Sequence, residues 1–160
     1  MNRATAKADV GAVIEKLRSW NERLEEAAEE KRRTGVQAIG PEDREELRRY
    51  VADVWHQDCE WFPLIGGVEG TGSYRGRDGV LAFYEDFWGA FEVTYEDHDF
   101  RPLGDAVVHL SSMSLRARES GVELRRELGI VYEVDGELIR RGRAYDSHAA
   151  AFAAAEELRA

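Results

Sequence analysis

The chain has 160 residues with 22 basic and 32 acidic side chains, a net charge of −10, one cysteine and 43% hydrophobic residues. This length supports one domain, residues 1–160, with a core large enough to enclose a pocket. The single Cys59 excludes an intrachain disulfide and gives no basis for a zinc site. The negative charge opposes binding to nucleic acids and to anionic membrane surfaces. No window approaches the roughly 20 apolar residues of a membrane span, so we expect a soluble, cytoplasmic protein. The sequence implies no cofactor.

Two amphipathic helices are predicted in the first third of the chain. From Ala8 to Arg33 apolar residues recur at helical spacing, and glutamates on the other side are typical of a solvated helix face. Two glycines interrupt the pattern between Thr34 and Gly40, and Pro41 then suits the first position of a second helix. The apolar stripe of that second helix comprises Leu47, Tyr50, Val51, Val54 and Trp55.

A short strand, a loop and a third helix follow. A strand is predicted over Cys59–Leu64, ended by Pro63, and a glycine-rich loop is predicted over Ile65–Gly72. The helix predicted over Arg77–Ala90 carries apolar residues around much of its circumference, which indicates burial on more than one side.

The rest of the chain is predicted to form an antiparallel meander and a last helix. The strands are separated by the turn signals Gly104-Asp105, Ser120-Gly121 and Asp135-Gly136. Helices followed by such strands are typical of an α+β domain with helices on one face of a sheet. The predicted elements are strands over Val93–Leu103, Ala106–Arg118, Val122–Val134 and Glu137–Asp146, and a helix over Ala149–Ala160.

Two of these turns predict a strand register and therefore a common face. A type I′ loop at Asp135-Gly136 pairs Tyr132 with Ile139. The loop at Ser120-Gly121 pairs Ser111 with Ile130. Gly142 indicates a bulge, and beyond Ile139 the facing of residues can shift by one. The predicted face is mostly apolar and comprises His109, Ser111, Met113, Leu128, Ile130, Tyr132, Ile139 and, beyond the irregularity, Arg141, Arg143 and Tyr145.

The opposite face of the same strands is also apolar enough to need a cover. No predicted element is left over to cover it, so we expect a second copy of the chain to pack there and to form a homodimer. This opposite face comprises Val108, Leu110, Ser112, Gly129, Val131 and Arg140.

His109 and Glu60 are the candidate catalytic residues. A mostly apolar concavity with few polar groups is the usual form of a small-molecule site, and an imidazole there can act as an acid or a base. Glu60 points inward if Phe62 does, and desolvation would then favour its neutral form. The alternatives are a hydrogen-bonded core histidine for His109, and for Glu60 a strand-end carboxylate that reaches solvent or pairs with an arginine.

Further side chains are candidate ligand contacts, with a role in the core as the alternative interpretation. A nucleophilic role for Cys59 is not favoured, because the sequence places no histidine beside it. His56 and His148 are expected to be caps or surface groups. The candidate ligand contacts are Phe62, Tyr84, Trp88, Ser111, Ile130, Tyr132 and Tyr145.

Five short segments, taken in order and spacing, resemble a known family. They are Asp58-Cys59-Glu60-Trp61-Phe62-Pro63, Tyr74-Arg75-Gly76-Arg77-Asp78-Gly79-Val80 leading into Leu81-Ala82-Phe83-Tyr84, Leu103-Gly104-Asp105, Asp135-Gly136-Glu137-Leu138-Ile139, and Arg143-Ala144-Tyr145. Together they resemble the SnoaL-like, ketosteroid-isomerase-like branch of the nuclear transport factor 2-like superfamily. The resemblance covers residues 41–158, and residues 1–40 form an extended N-terminal helix and loop.

The resemblance implies a cone-shaped fold. In it a strongly curved, mainly antiparallel sheet wraps around N-terminal helices and leaves an internal apolar pocket, commonly in a homodimer formed through the convex sheet face. Steroid isomerases, polyketide cyclases, dehydratases and epoxide hydrolases share this fold with non-catalytic proteins, so the fold does not settle the function.

The catalytic carboxylates of two of these enzyme classes are absent from the corresponding positions. The general base and the oxyanion-binding acid of the steroid isomerases correspond to Phe62 and Ile130, so that mechanism is not expected here. The epoxide hydrolases place carboxylates on both sides of an arginine, where this chain has Gly142 and Ala144 around Arg143.

These comparisons of motifs lead to a functional prediction. We expect a small-molecule-pocket protein, an isomerase, cyclase or dehydratase that acts on a small hydrophobic metabolite through Glu60 and His109. The alternatives are a non-catalytic ligand-binding module and a dimerisation module whose pocket is filled by Phe62, Trp88 and Tyr132.

Overall fold

The structure, a computed structural model, describes residues 7–34, 41–64 and 73–159. The connection after Thr34 and the glycine-rich segment Ile65–Gly72 lie outside these residues. The predicted α+β class is confirmed. Within the described residues the elements are α1 (Val10–Thr34), α2 (Pro41–Val54), β1 (Trp55–Phe62), β2 (Tyr74–Arg75), α3 (Gly76–Ala90), β3 (Phe91–Leu103), β4 (Ala106–Ala117), β5 (Glu123–Asp135), β6 (Leu138–Tyr145) and α4 (His148–Arg159).

The strands form one sheet in the order β2-β1-β6-β5-β4-β3. Strands β3 to β6 are the predicted antiparallel meander, and β1 adds to it in parallel beside β6. The main core lies between this sheet and α1, α2 and α3. A smaller apolar cluster lies on the other face, beneath α4. None of the described helices is long and apolar enough to cross a lipid bilayer.

Helix α1 is attached to the rest of the molecule mainly through its first half. Asp9 caps the helix, because the Ala12 amide donates to Asp9 Oδ1 at 3.0 Å. The Asp9 amide donates to the Gly136 carbonyl at 2.8 Å and so ties the start of the helix to the β5–β6 loop. Val13 and Leu17 are fully buried. The Trp20 indole then donates to Asp53 Oδ2 at 2.7 Å, and beyond it no described side chain of the helix is buried.

Strand β1 begins earlier than predicted. Trp55, which the sequence predicts in the apolar stripe of the second helix, is the first residue of β1 and is completely buried. Its ring packs edge to face on Trp61 and Tyr132 at centroid distances of 5.7 and 5.9 Å. A Cβ atom at Gly142 would lie 2.9 Å from Trp55. The missing side chain at Gly142 therefore makes room for these rings.

The predicted register of the β4–β5 hairpin is wrong by two residues. His109 faces Ile130 and Ser111 faces Leu128, because the connecting loop is longer than two residues. The Ala117 amide donates to the Val122 carbonyl at 2.9 Å within that loop. A shift of two leaves each side chain on its predicted face, since side chains alternate with a period of two.

The β5–β6 register is also wrong. Asp135 faces Leu138, so the two loop residues are Gly136 and Glu137. Gly136, the first loop residue, has a positive φ of 62° and Glu137, the second, does not, which fits a II′ loop and not the predicted I′ loop. The expected irregularity is present, because the pairing slips after Ile139 and resumes at Arg141.

This slip reverses the predicted facing of the last strand. Gly142 and Ala144 now pair with Tyr132 and Ile130. The last strand therefore adds small residues to the inner face. The three residues predicted to lie there, Arg141, Arg143 and Tyr145, lie on the outer face instead.

Helix α4 covers the face for which a second subunit was expected. Ala151 and Ala155 are completely buried against Val108, Leu110 and Val131. The expectation that no element of the chain covers this face is therefore wrong. The homodimer stays a prediction, but an uncovered sheet face no longer supports it.

Replacing Gly129 by alanine tests the position of α4. A Cβ atom at Gly129 would lie 2.6 Å from the Ala151 Cβ and 3.2 Å from the Ser147 carbonyl oxygen. We expect this overpacking to lower the free energy of unfolding in urea by about 1–3 kcal/mol. Gly89→Ala is the control, because a Cβ there meets nothing within 4 Å. Equal stability of Gly129→Ala and the wild type would contradict the packing of α4 on the sheet.

Candidate functional site

A cavity of about 260 Å³ lies between the three N-terminal helices and the inner face of the sheet. This volume is close to the lower end of the about 300–1,000 Å³ typical of ligand pockets, so it suits a small molecule. Most of its wall is apolar and much of it is aromatic. The aromatic lining residues are Tyr50, Trp61, Phe83, Tyr84, Phe87, Trp88, Phe91, Tyr95 and Tyr132, together with His98 and His109.

Helix α3 and the first strand position one side of this aromatic wall. Phe83 stacks on Phe87, with a centroid distance of 5.3 Å, and meets Trp61 edge to face at 5.7 Å. Tyr84 meets Tyr50 of α2 edge to face at 5.9 Å. Such contacts between rings add to the energy of burial and hold each ring in a defined orientation.

Five of the predicted site residues line the cavity. They come from three different elements of the chain and meet only in the folded protein. These residues are Tyr84, Trp88, His109, Ile130 and Tyr132.

The other four predicted site residues, Glu60, Phe62, Ser111 and Tyr145, do not line the cavity. In β1 Cys59 and Trp61 are buried, so Glu60 and Phe62 point to the other side of the strand. Glu60 lies 3.9 Å from Arg75 and is the arginine-paired carboxylate of the alternative interpretation. The prediction that it shares a cavity with His109 is wrong. Tyr145 packs in the cluster beneath α4.

The arginines of β6 also lie outside the cavity, where they cover Phe62. The guanidinium groups of Arg143 and Arg141 lie 4.2 and 5.0 Å from the centre of the Phe62 ring. These distances are typical of cation–π contacts. Ser111 is buried but does not line the cavity, and its carbonyl accepts a hydrogen bond from His148 Nε2 at 2.9 Å.

His109 belongs to a hydrogen-bonded chain of three side chains at the cavity wall. His109 Nε2 lies 2.9 Å from His98 Nδ1, and His98 Nε2 lies 2.9 Å from Glu25 Oε1. The three residues come from β4, β3 and α1, and all three line the cavity. Phe100 stacks on the His109 ring at a centroid distance of 4.2 Å. These hydrogen bonds link the surface carboxylate of Glu25 to the buried imidazole of His109.

Sequence reasoning missed His98 and Glu25 because a backbone irregularity turns His98 inward. In β3 Tyr95 faces Met113, but after a slip in the pairing Phe100 faces His109. Asp97, between them, is in the left-handed region with φ 57°, which aspartate tolerates better than most residues. No pattern in the sequence marks this bulge, and the spacing between Glu25 and His98 carries no signal.

Burial favours the uncharged forms of the titratable groups in the aromatic wall. Burial lowers the pKa of His109 to about 3, and the neighbouring His98 contributes to the shift. Burial also raises the pKa values of the Tyr84 and Tyr132 hydroxyls well above their usual range. Near neutral pH the cavity therefore presents a neutral imidazole and neutral phenols. Burial likewise raises the pKa of the Cys59 thiol to about 11, which disfavours a nucleophilic thiolate.

Several buried polar atoms near the cavity have no hydrogen-bond partner among the described residues. His109 Nδ1, Asn21 Nδ2 and Trp61 Nε1 are such atoms, and they belong to residues that line the cavity. A buried polar atom without a partner is costly, so a bound molecule that reached one of them would remove part of this cost. In the part of the chain that the structure describes, no three His, Cys, Asp or Glu side chains are grouped to hold a metal ion.

The fold is similar to that of several solved structures. An NTF2-like protein from Burkholderia xenovorans matches with a TM-score of 0.61 and 17% identity over 96% of this chain and 99% of that chain. A proposed isomerase from Bacillus subtilis matches with a TM-score of 0.61 and 14% identity over 84% and 86%. TerC, co-crystallised with polyporic acid, matches with a TM-score of 0.53 and 19% identity over 72% and 87%. No protein-family model and no curated protein matches the sequence.

The low pKa of His109 predicts a loss of stability in mild acid. In the unfolded chain an imidazole titrates near pH 6.5. Between that pH and about 3, the unfolded state binds a proton that the folded state does not. The free energy of unfolding therefore falls as the pH drops below about 6.5. His109→Phe removes this term, so between pH 7 and pH 5 it should lose about 2 kcal/mol less stability than the wild type. Equal losses in chemical denaturation would contradict a neutral, buried His109.

Proposed function

This chain has the nuclear transport factor 2-like fold, and on that premise we propose that it binds a small hydrophobic molecule and transfers a proton on it, as an isomerase, cyclase or dehydratase does. The observation that carries the proposal is a hydrogen-bonded histidine pair in the wall of an aromatic cavity. Apolar walls with a few polar groups bind and orient small molecules. Histidine is the side chain most often used for acid–base catalysis near neutral pH.

The residues that replace the steroid-isomerase carboxylates support a different base. Ile130 lines the cavity beside His109, its partner in the ladder. In β1 the inward residue is Trp61, and Phe62 lies outside. Neither position offers a carboxylate, so His109 is the best-placed acceptor for a proton from a bound molecule. The similarity to a proposed isomerase, and to TerC with its bound polyporic acid, also supports a small-molecule pocket.

A non-catalytic ligand-binding role is the second candidate function. It is favoured by the pKa of His109, which is lowered to about 3 and makes this imidazole a weak base when it acts alone. A pure dimerisation module has less support, because Trp88 and Tyr132 line a cavity that they leave open.

One experiment distinguishes binding from catalysis. Native mass spectrometry of the purified full chain would identify a retained small molecule, and that compound would then be incubated with the wild type and with His109→Asn. Catalysis predicts that the wild type converts the compound, and that the variant binds it but converts it about 100-fold or more slowly. Binding without conversion by the wild type would overturn the catalytic proposal and leave the second candidate.

Filling part of the cavity should weaken binding while the fold stays intact. Ala144 lines the cavity, and leucine at this position would occupy part of its 260 Å³. We expect 2-naphthol, a small neutral aromatic probe, to quench the fluorescence of the lining tryptophans in the wild type. Ala144→Leu should weaken this binding about tenfold or more.

Ala153→Leu is the matched control, because Ala153 is exposed on α4. This variant should bind 2-naphthol as the wild type does. Equal binding by Ala144→Leu and the wild type would place the probe elsewhere and would remove the cavity from the proposal.

A further inference from the structure

The histidine pair and Glu25 leave one nitrogen without a partner among the described residues. Glu25 Oε1 contacts His98 Nε2, and His98 Nδ1 contacts His109 Nε2, each at 2.9 Å. His109 Nδ1, at the other end of this hydrogen-bonded series, has no partner and is covered by protein atoms. Other atoms of the His109 side chain line the cavity, so a bound molecule becomes the partner of Nδ1 once the protein atoms that cover it move aside.

The hydrogen bonds determine the positions of the protons when both rings are neutral. A carboxylate only accepts hydrogen bonds, so His98 Nε2 carries a hydrogen and donates to Glu25. A neutral His98 then has a lone pair on Nδ1, which accepts from the Nε2–H of His109. The Nδ1 atom of His109 therefore has a free lone pair and can accept a proton.

We propose that Glu25, His98 and His109 form a proton relay, in which His109 takes a proton from the bound molecule at Nδ1 while His98 stores the charge beside Glu25. This inference rests on the proposed function and deepens it by assigning a role to each nitrogen. Glu25 is hydrogen-bonded to His98, which stands between it and His109, so in the relay it is a positioning residue that acts through His98.

The relay step balances without any co-reactant. A C–H or O–H bond of the bound molecule breaks, its electron pair stays on the molecule, and an N–H bond forms at His109 Nδ1. The Nε2–H bond of His109 breaks as an N–H bond forms at His98 Nδ1. The result is a neutral His109 in its other tautomer and an imidazolium at His98. The reverse transfer returns the proton to the molecule, at the same atom or at another one, as isomerisation requires.

The surroundings of the two rings favour a charge on His98 over a charge on His109. His109 is 6% exposed and Phe100 stacks on it. The His98 side chain is 19% exposed and its carboxylate partner is 54% exposed, so water reaches this end of the relay. Desolvation therefore penalises a cation at His109 far more than one at His98.

Among the described residues, one arginine and two tyrosines lie close to the pair in addition to Glu25. Arg18 of α1 lies 5.8 Å from the Phe100 ring centre. Tyr95 of β3 and Tyr132 of β5 have ring centroids 6.2 Å from His98 and 6.3 Å from His109, respectively. Burial raises the pKa values of both tyrosines, so the two hydroxyls are neutral. The carboxylate of Glu25 is the group that stabilises a cation on His98.

The ring nitrogens of the full-length, ligand-free protein provide the test. Nitrogen-15 NMR near pH 8 distinguishes a nitrogen that carries a hydrogen from one that does not. In the wild type we expect His109 in the Nε2–H tautomer. In Glu25→Ala, His98 is free to move its hydrogen to Nδ1, so the His109 tautomer ratio should shift towards Nδ1–H by about tenfold, the effect of losing one charge-assisted hydrogen bond.

The control is Glu26→Ala, an exposed neighbour on the same helix, which should leave the tautomers unchanged. An Nδ1–H tautomer in the wild type, or a ratio insensitive to Glu25→Ala, would overturn the relay. If Glu25→Ala does not fold, Glu25→Lys, which places a cation beside His98, should shift the ratio in the same direction. Because the measurement needs no bound molecule, a failed tautomer result leaves the binding role intact. A cavity that retains nothing overturns the proposed function whatever the tautomers are.

Discussion

The alternation of side chains along the strands decides which groups reach the cavity, and two interruptions of this alternation determine the site. The left-handed Asp97 turns His98 and Phe100 inward, where they meet His109. The slip after Ile139 turns Gly142 inward, where Trp55 and Tyr132 occupy the space that a side chain would need. Without the first interruption the histidine pair would not form. Without the second, arginines would enter an apolar cavity, where an unpaired charge is costly.

The cavity combines a neutral aromatic wall with charged lining residues, which are Glu25, Lys31, Asp43, Glu46 and Arg118. Tyrosine hydroxyls and a neutral His109 surround its apolar interior. Glu25 and His98 carry the polar connection outward to solvent. In the proposed relay, this arrangement lets a proton enter or leave the cavity without leaving a net charge on its most buried group. The catalytic pair expected from the sequence, Glu60 and His109, does not form, because Glu60 lies on the other side of β1 and pairs with Arg75.

Helix α1 has two different functions along its length. Its first half is held by buried apolar residues and by the bond between Trp20 and Asp53. Its second half contributes Leu24, Glu25 and Ala27 to the cavity wall, and ion pairs such as Lys31–Asp43 connect it to α2. Exposed ion pairs contribute little to stability, so the second half depends on its contacts at the cavity. The helix that extends beyond the core of the family resemblance thus supplies a residue to the candidate site.

The sequence by itself determined the helices, the meander and the α+β class, because hydrophobic periodicity and turn residues are local signals. It also identified Tyr84 and Trp88 on the apolar helix α3, and His109, Ile130 and Tyr132 on the strands, since a register error of two keeps the facing of each strand residue. Only the tertiary structure decided that Glu60, Phe62 and Tyr145 lie outside, that α4 covers the outer face, and that Glu25 and His98 join His109. These outcomes depend on a bulge, a slip and a contact between residues far apart in the chain. No local pattern encodes them, because each is settled by the packing of the whole sheet against its helices.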